Sequence, residues 1–380
     1  VNQTEWLVGN ELIGFGRKPA DPAEGGTDET VTAFHGQHAP YMLVVLDEAG
    51  GIPGPLWAAA KSLITGRNNR ILAIGNPDDP TCEFEKICRP GSGWNVITIS
   101  TFDTPNFTGE DVPDALREVL PDRIWLEEFI RDYGEGSNLY LSKVLGEFPK
   151  DVSDAVVPYS WAYQCTQLEG RTVNPDKIVS LGVDIGAGVD ETVIRPMQDR
   201  KFYPQRRSRH DDPMKAVGEI VNAVREYRSW PIIGEDGVRI RVNLDAIGVG
   251  WGVAGRLAEV CREKGWDDVE VNAVKVSESS SRPDECKNLR AELWWAAREA
   301  SHDKLWDLSE VDDICINELT TPKWSENSSG QIEVEKREKI VARLKRSPDN
   351  ASSLILAPFV PPKSSVGEDV SVSYAAGRRR

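Results

Sequence analysis

Asp47 and Glu48 follow an unbroken apolar run, Leu43-Val44-Val45-Leu46, and are the first residues in the chain placed for chemistry. A strand ending in two carboxylates delivers them to the C-terminal edge of an open α/β sheet, where such sheets bind ligands. There Asp47 would hold a divalent cation through water, and Glu48 would orient or deprotonate an attacking water. A buried strand ending in an acidic turn is the plain alternative, and the pattern alone leaves both open. A second apolar run, Ile71-Leu72-Ala73-Ile74, ends in Gly75-Asn76-Pro77. If the two strands are neighbours, the Asn76 amide would sense the γ-phosphate of a bound nucleotide. No G-x-x-x-x-G-K-[ST] occurs in the chain, so no loop of that kind cradles the phosphates.

Three further carboxylates stand at the ends of expected elements. Asp184 closes an apolar strand and precedes Gly186 and Gly188, Asp245 closes Arg239–Leu244, and Asp349 opens the last helix. Carboxylates on adjacent strand ends, joined by one from a later helix, can converge on two divalent ions about 4 Å apart. Such ions activate water and stabilise the leaving oxygen of a phosphodiester. Mg²⁺ or Mn²⁺ suits this all-oxygen donor set, and Asp190 would be an extra ligand. Acidic residues at strand ends are also common without any metal. Arg195, Arg200, Lys201, Arg206, Arg207 and Arg209 form a basic strip with Phe202 and Tyr203 interleaved. It would track a phosphate backbone, although a solvated hairpin explains it equally well.

The elements that must position these residues alternate between strand and helix signals, which implies an α/β fold. Strands are expected at 41–46, 70–74 and 95–100, the first two buried on both faces of a parallel sheet. Helices are expected at 55–65, 113–120 and 123–133, and residues 17–40 read as a loop. Residues 151–176, with Pro158 and Pro175, read as a linker between a first domain (1–150) and a second (177–360). The second domain opens with a strand at 178–184. Strands at 192–194, 239–245 and 270–276 follow, with helices at 213–227, 252–264, 288–300 and 350–356. The tail 361–380 reads as disordered.

With 39% hydrophobic and 28% charged residues, the chain of 380 has the composition of a globular protein of about two domains. A net charge of −16 argues against non-specific coating of DNA but leaves room for an enzyme with a local basic strip. No apolar run reaches the roughly 18 residues of a membrane span, and the opening residues show no signal peptide. Cys82, Cys88, Cys165, Cys261, Cys286 and Cys315 form no C-x-x-C pair, and read as reduced thiols. His35 and His38 share a segment without a further ligand pair nearby.

Taken together, these residues resemble the large terminase subunit of tailed bacteriophages, the DNA-packaging motor. Leu46-Asp47-Glu48-Ala49-Gly50-Gly51-Ile52-Pro53 looks like the family's Walker B segment, and Ile74-Gly75-Asn76-Pro77 resembles its coupling motif. Gly146-Glu147-Phe148-Pro149 and Val157-Pro158-Tyr159-Ser160-Trp161 are similar to the junction before its nuclease domain. Leu289-Arg290-Ala291-Glu292-Leu293-Trp294-Trp295 and Arg346-Ser347-Pro348-Asp349-Asn350-Ala351 look like that domain's closing segments.

The resemblance implies the C-terminal part of a P-loop ATPase sheet followed by an RNase H-like nuclease that cuts concatemeric double-stranded DNA. It makes Asp184, Asp245 and Asp349 the nuclease carboxylates and implies ATP in the complete motor. The small terminase subunit and the portal protein would be partners, in the host cytoplasm at the procapsid. Two departures stand out: the P-loop half is missing, and Ser352 stands where the family often carries a second acid. With them the chain looks like a truncated or split terminase, and the alternative is an inactive remnant that serves as a binding subunit. Val183-Asp184-Ile185-Gly186-Ala187-Gly188 also resembles the phosphate loop of actin-like ATP phosphotransferases, but Asp245-Ala246-Ile247-Gly248-Val249-Gly250 is only a partial second loop.

Overall fold

The computed structural model describes residues 5–16, 39–168, 170–186, 188 and 190–362, and the chain divides into two compact units, 1–97 and 98–380. The boundary expected at residue 150 lies inside the second unit. There the Asn317 side chain donates to the Tyr133 carbonyl at 2.9 Å and ties Arg123–Tyr133 to the later helices. His35, His38 and most of the expected loop lie outside the described residues, as does the tail from 363.

In the first unit, β1 (Glu5–Val8) and β2 (Glu11–Phe15) form an antiparallel hairpin. β3 (Met42–Leu46) and β4 (Asn69–Ala73) pair in parallel, with Leu46 opposite Ala73. The helix Gly54–Leu63 joins them and buries Leu56, Trp57 and Leu63. These strands are not buried on both faces. Leu43 and Val45 are 61% and 52% exposed, because one crossover helix covers one face of a strand pair. The stretch 95–100 alternates as a strand should, yet forms none: Ile97 and Ile99 find no ladder and stay exposed.

The second unit is built on a six-stranded sheet in the order β10-β9-β5-β6-β7, with β8 also paired to β6. Its strands are β5 (Val179–Asp184), β6 (Thr192–Gln198), β7 (Lys201–Phe202), β8 (Arg206–Ser208), β9 (Ile240–Asp245) and β10 (Val269–Val274). β5, β9 and β10 run parallel, while β6 is antiparallel to β5. The sheet is therefore mixed α/β, with an antiparallel hairpin beside parallel strands, as the sequence led one to expect.

Strand periodicity of two assigns the two faces. Val179, Leu181 and Val183 of β5, with Ile240, Val242 and Leu244 of β9, pack under the helices Pro213–Arg228 and Gly250–Glu263. The alternate residues, Gly182 and Asn243 among them, face the closing helix Asp349–Leu356. That helix lies in a second core with Tyr159–Thr166, Leu289–His302 and Asp313–Thr320.

The first part of the expected linker, through Thr166, is therefore part of this core. Val156, Val157, Ala162 and Cys165 are fully buried, and the Arg298 guanidinium lies over the rings of Trp161, Trp295 and Trp324. Of the two prolines that suggested a linker, Pro158 instead starts a helix as its N-cap residue, and Pro175 lies in a turn. The sequence reading also missed Asp313–Thr320 and Arg337–Leu344, and the expected helix at 113–120 shortens to Asp114–Arg117. All six cysteines are free thiols. Among the described residues no helix is long and apolar enough to cross a membrane.

Asn243 pins the far end of the closing helix to the sheet. Its amide donates to the carbonyls of Leu356 and Phe359, each at 2.9 Å, and its oxygen accepts from Asn272 at 3.1 Å. Asn243→Ala orphans these buried groups and is expected to cost about 1–3 kcal/mol, read from urea unfolding.

Candidate active site

Gly182 of β5 lies opposite Asn243 of β9, and Val183 opposite Leu244, so Asp184 and Asp245 end their strands side by side. Both fall on the closing-helix face, because each stands two residues beyond a residue that meets that helix. The helix delivers Asp349 to the same end of the sheet. Its backbone can come this close only because Gly182 has no side chain. A Cβ there would lie 1.9 Å from the Ser353 carbonyl oxygen.

Asp349 is 7% exposed, and its carboxylate accepts from the Glu191 N–H at 3.2 Å and from the Ser347 hydroxyl. The Arg337 guanidinium donates to Asp190 and to the Ser347 hydroxyl, each at 2.6 Å, and lies 3.9 Å from Asp349. Asp245 accepts the Ile247 N–H at 2.9 Å. Gly250 must be glycine here, since a Cβ would sit 1.8 Å from the Asp245 carbonyl oxygen.

The electrostatics follow from three acids in one recess. Burial, then the like charges of Asp349 and Asp245, push the Asp184 carboxyl well above its ordinary range, against a hydrogen bond from Ser352 and the charge of Arg337. Burial raises Asp349 too, while Ser347 and the Glu191 N–H pull it down and Asp190 pushes it up. Burial raises Asp245 against the Ile247 N–H, Arg290 and Arg337. Among the described residues no three His, Cys, Asp or Glu side chains close into a ready ligand shell. The donor chemistry still suits a hard cation, because the acids are oxygen donors whose negative charge is only partly balanced by Arg337.

In the first unit, Asp47 and Glu48 turn out of β3 beside the end of β4. The Ala49 N–H donates to the Ile74 carbonyl at 2.9 Å, and a Cβ on Gly75 would meet the Ala49 nitrogen at 2.9 Å. Glu48 adopts a left-handed φ of 50° and Asn76 stands exposed one residue beyond Gly75. The structure therefore brings Asp47, Glu48 and Asn76 to one strand edge.

The basic strip is largely paired within the protein. Lys201 meets Glu310 at 2.6 Å, Arg207 meets Asp312 at 3.1 Å, Arg209 meets Glu191 at 4.0 Å, and Arg206 pairs with Glu226. Arg200 turns the β6–β7 hairpin with a φ of 68°. Arg209 is linked to the carboxylates through Glu191, whose N–H donates to Asp349. Sequence reasoning missed Arg337 and Ser347. Arg337 sits in the charged run Lys336-Arg337-Glu338-Lys339, which carried no signal of a site.

No family model matches the chain. A probable terminase large subunit of Enterobacteria phage P7 is 27% identical over 172 residues, 43% of this chain and 33% of that protein, so the chain matches about a third of this relative's length. Similar solved structures include the nuclease domain of the large terminase subunit gp2 of bacterial virus Sf6, at 16% identity and a TM-score of 0.45, over 55% of this chain and 100% of that one. The large terminase nuclease of thermophilic phage G20c with bound magnesium gives 17% and 0.35, over 54% and 97%. Similarity in sequence to the P7 protein thus bears out the resemblance of this chain to the large terminase subunits of tailed bacteriophages.

Proposed function

We propose that the second unit is a metal-dependent endonuclease that cuts concatemeric double-stranded DNA during viral packaging. We propose the first unit as part of an ATPase sheet. The observation that carries the reading is the delivery of Asp184, Asp245 and Asp349 to one end of one sheet face. These three would hold the ions, with Asp190 as a further ligand. Two bound Mg²⁺ or Mn²⁺ ions would activate water and stabilise the leaving oxygen of the phosphodiester. Ser347 and the Glu191 N–H orient the Asp349 carboxylate, and Arg337 balances charge between Asp190 and Asp349. Arg200, with Lys201, Arg206, Arg207 and Arg209 after exchange of their carboxylate partners, would follow the DNA backbone.

In the first unit Asp47 would take the nucleotide's cation, Glu48 the water and Asn76 the γ-phosphate. The small terminase subunit and the portal would be its partners, in the host cytoplasm at the procapsid. The test is cleavage of supercoiled plasmid by the purified chain. Nicked or linear product is expected with Mn²⁺ or Mg²⁺ and none with EDTA. Intact plasmid under every ion would overturn the nuclease reading. It would favour a binding subunit without cleavage, the reading to which the Ser352 hydroxyl on Asp184 points.

A further inference from the structure

The closing helix starts without a capping side chain of its own. Its N-cap residue is Pro348, which offers no hydroxyl or carboxylate to the first-turn N–H groups. The missing acceptor comes from another element. Glu318, fully buried on Asp313–Thr320, accepts the Ala351 N–H at 2.9 Å through one oxygen and the Asn350 side-chain N–H at 2.9 Å through the other. The Arg346 guanidinium, just before the helix, reaches the same carboxylate at 3.0 Å. One buried carboxylate thus grips the segment on both sides of Asp349: Arg346 before it, Asn350 and Ala351 after it.

A buried ion pair is a poor source of stability, because desolvation offsets most of the attraction. What it supplies here is geometry. Gly182 sets how closely the helix lies on β5, and Asn243 holds its C-terminal end. Neither fixes the rotation and height of the first turn, where Asp349 sits. We propose that Glu318 is a positioning residue that acts through Arg346, Asn350 and Ala351 to aim the Asp349 carboxylate at the divalent cation. The proposal rests on the reading of Asp184, Asp245 and Asp349 as cation ligands. Glu318 touches neither the cation nor the DNA.

The test is Mn²⁺ binding to the full chain, read from the electron paramagnetic resonance signal of free Mn²⁺, beside the melting temperature in EDTA. Glu318→Gln is expected to weaken Mn²⁺ binding by about tenfold or more, the scale at which residues supporting a metal ligand act. Leu257→Ala, a core truncation under the opposite sheet face, serves as the control for lost stability alone. It is expected to lower the melting temperature and leave Mn²⁺ binding unchanged. Should Glu318→Gln fail to fold, the pair Glu318→Gln with Arg346→Met removes both charges together, which buried sites tolerate far better than losing one partner. A folded variant of either kind that binds Mn²⁺ as the wild type does overturns the proposal and leaves the reading of the three carboxylates standing. A wild-type chain that binds no Mn²⁺ overturns that reading, and this proposal with it.

Discussion

Asp184→Asn is expected to lower divalent-metal-dependent plasmid cleavage on the order of a thousandfold, the scale for removing a group that stabilises transition-state charge. The same variant is expected to melt at a higher temperature than the wild type in EDTA. Activity and stability move in opposite directions because this carboxylate is held among like charges at Asp349 and Asp245, in a recess that disfavours ionisation. The amide keeps the shape and drops the charge.

The pH dependence has a definite sign. The Asp184 pKa is raised on folding, so between the unfolded value, roughly 3.9, and the folded one, only the folded chain keeps the proton. Stability in EDTA therefore falls as pH rises through that window, and the full penalty remains above it. Asp245 and Asp349 are raised as well and contribute with the same sign. Melting curves from pH 4 upwards in EDTA should show this decline in the wild type and a shallower one in Asp184→Asn. Mn²⁺ at neutral pH should restore stability to the wild type and much less to the variant. A variant that melts no higher than the wild type and still cuts would remove Asp184 from the site.

The second large effect is expected at Gly182. Its Cβ would lie 1.9 Å from the Ser353 carbonyl oxygen and 2.6 Å from the Ala357 nitrogen, both backbone atoms of the closing segment. No side chain can rotate away to make room. Gly182→Ala must push the helix off β5, at a cost of at least about 3 kcal/mol in urea unfolding. The helix carries Asp349, so cleavage should fall even in conditions where the variant remains folded. Gly255→Ala, on an exposed helix position where a Cβ meets nothing within 4 Å, is the matched control and should leave both properties unchanged or slightly improved. Wild-type stability in Gly182→Ala would mean that the helix does not lie against β5.

The positions of the candidate carboxylates at element ends were legible in the sequence. Asp184 and Asp245 were legible because an apolar run that stops at an acid marks a strand end, and the apolar alternation of β5 and β9 assigns a face to every residue. Asp349 was legible because Pro348 marks a helix start. The same local rules gave the neighbouring strands behind Asp47 and Asn76, which pair in parallel as the reading required.

What surrounds those acids depends on the packing of distant elements. Arg337 and Glu318 lie 12 and 31 residues from Asp349 in the chain and read as ordinary surface charges, because a charged residue shows no periodic signal of its partner. The basic strip read as a phosphate-tracking patch or a solvated hairpin, yet its carboxylate partners Glu226, Glu310 and Asp312 come from distant elements. Residues 151–176 read as a linker because proline and mixed polarity look alike in a linker and at a helix start. Burial of Val156 and Ala162 against Leu289–His302 settles which it is. Local rules fix an element and its faces, since they depend on neighbours along the backbone. Partnership between charges depends on which elements meet, and that is decided by packing the whole core.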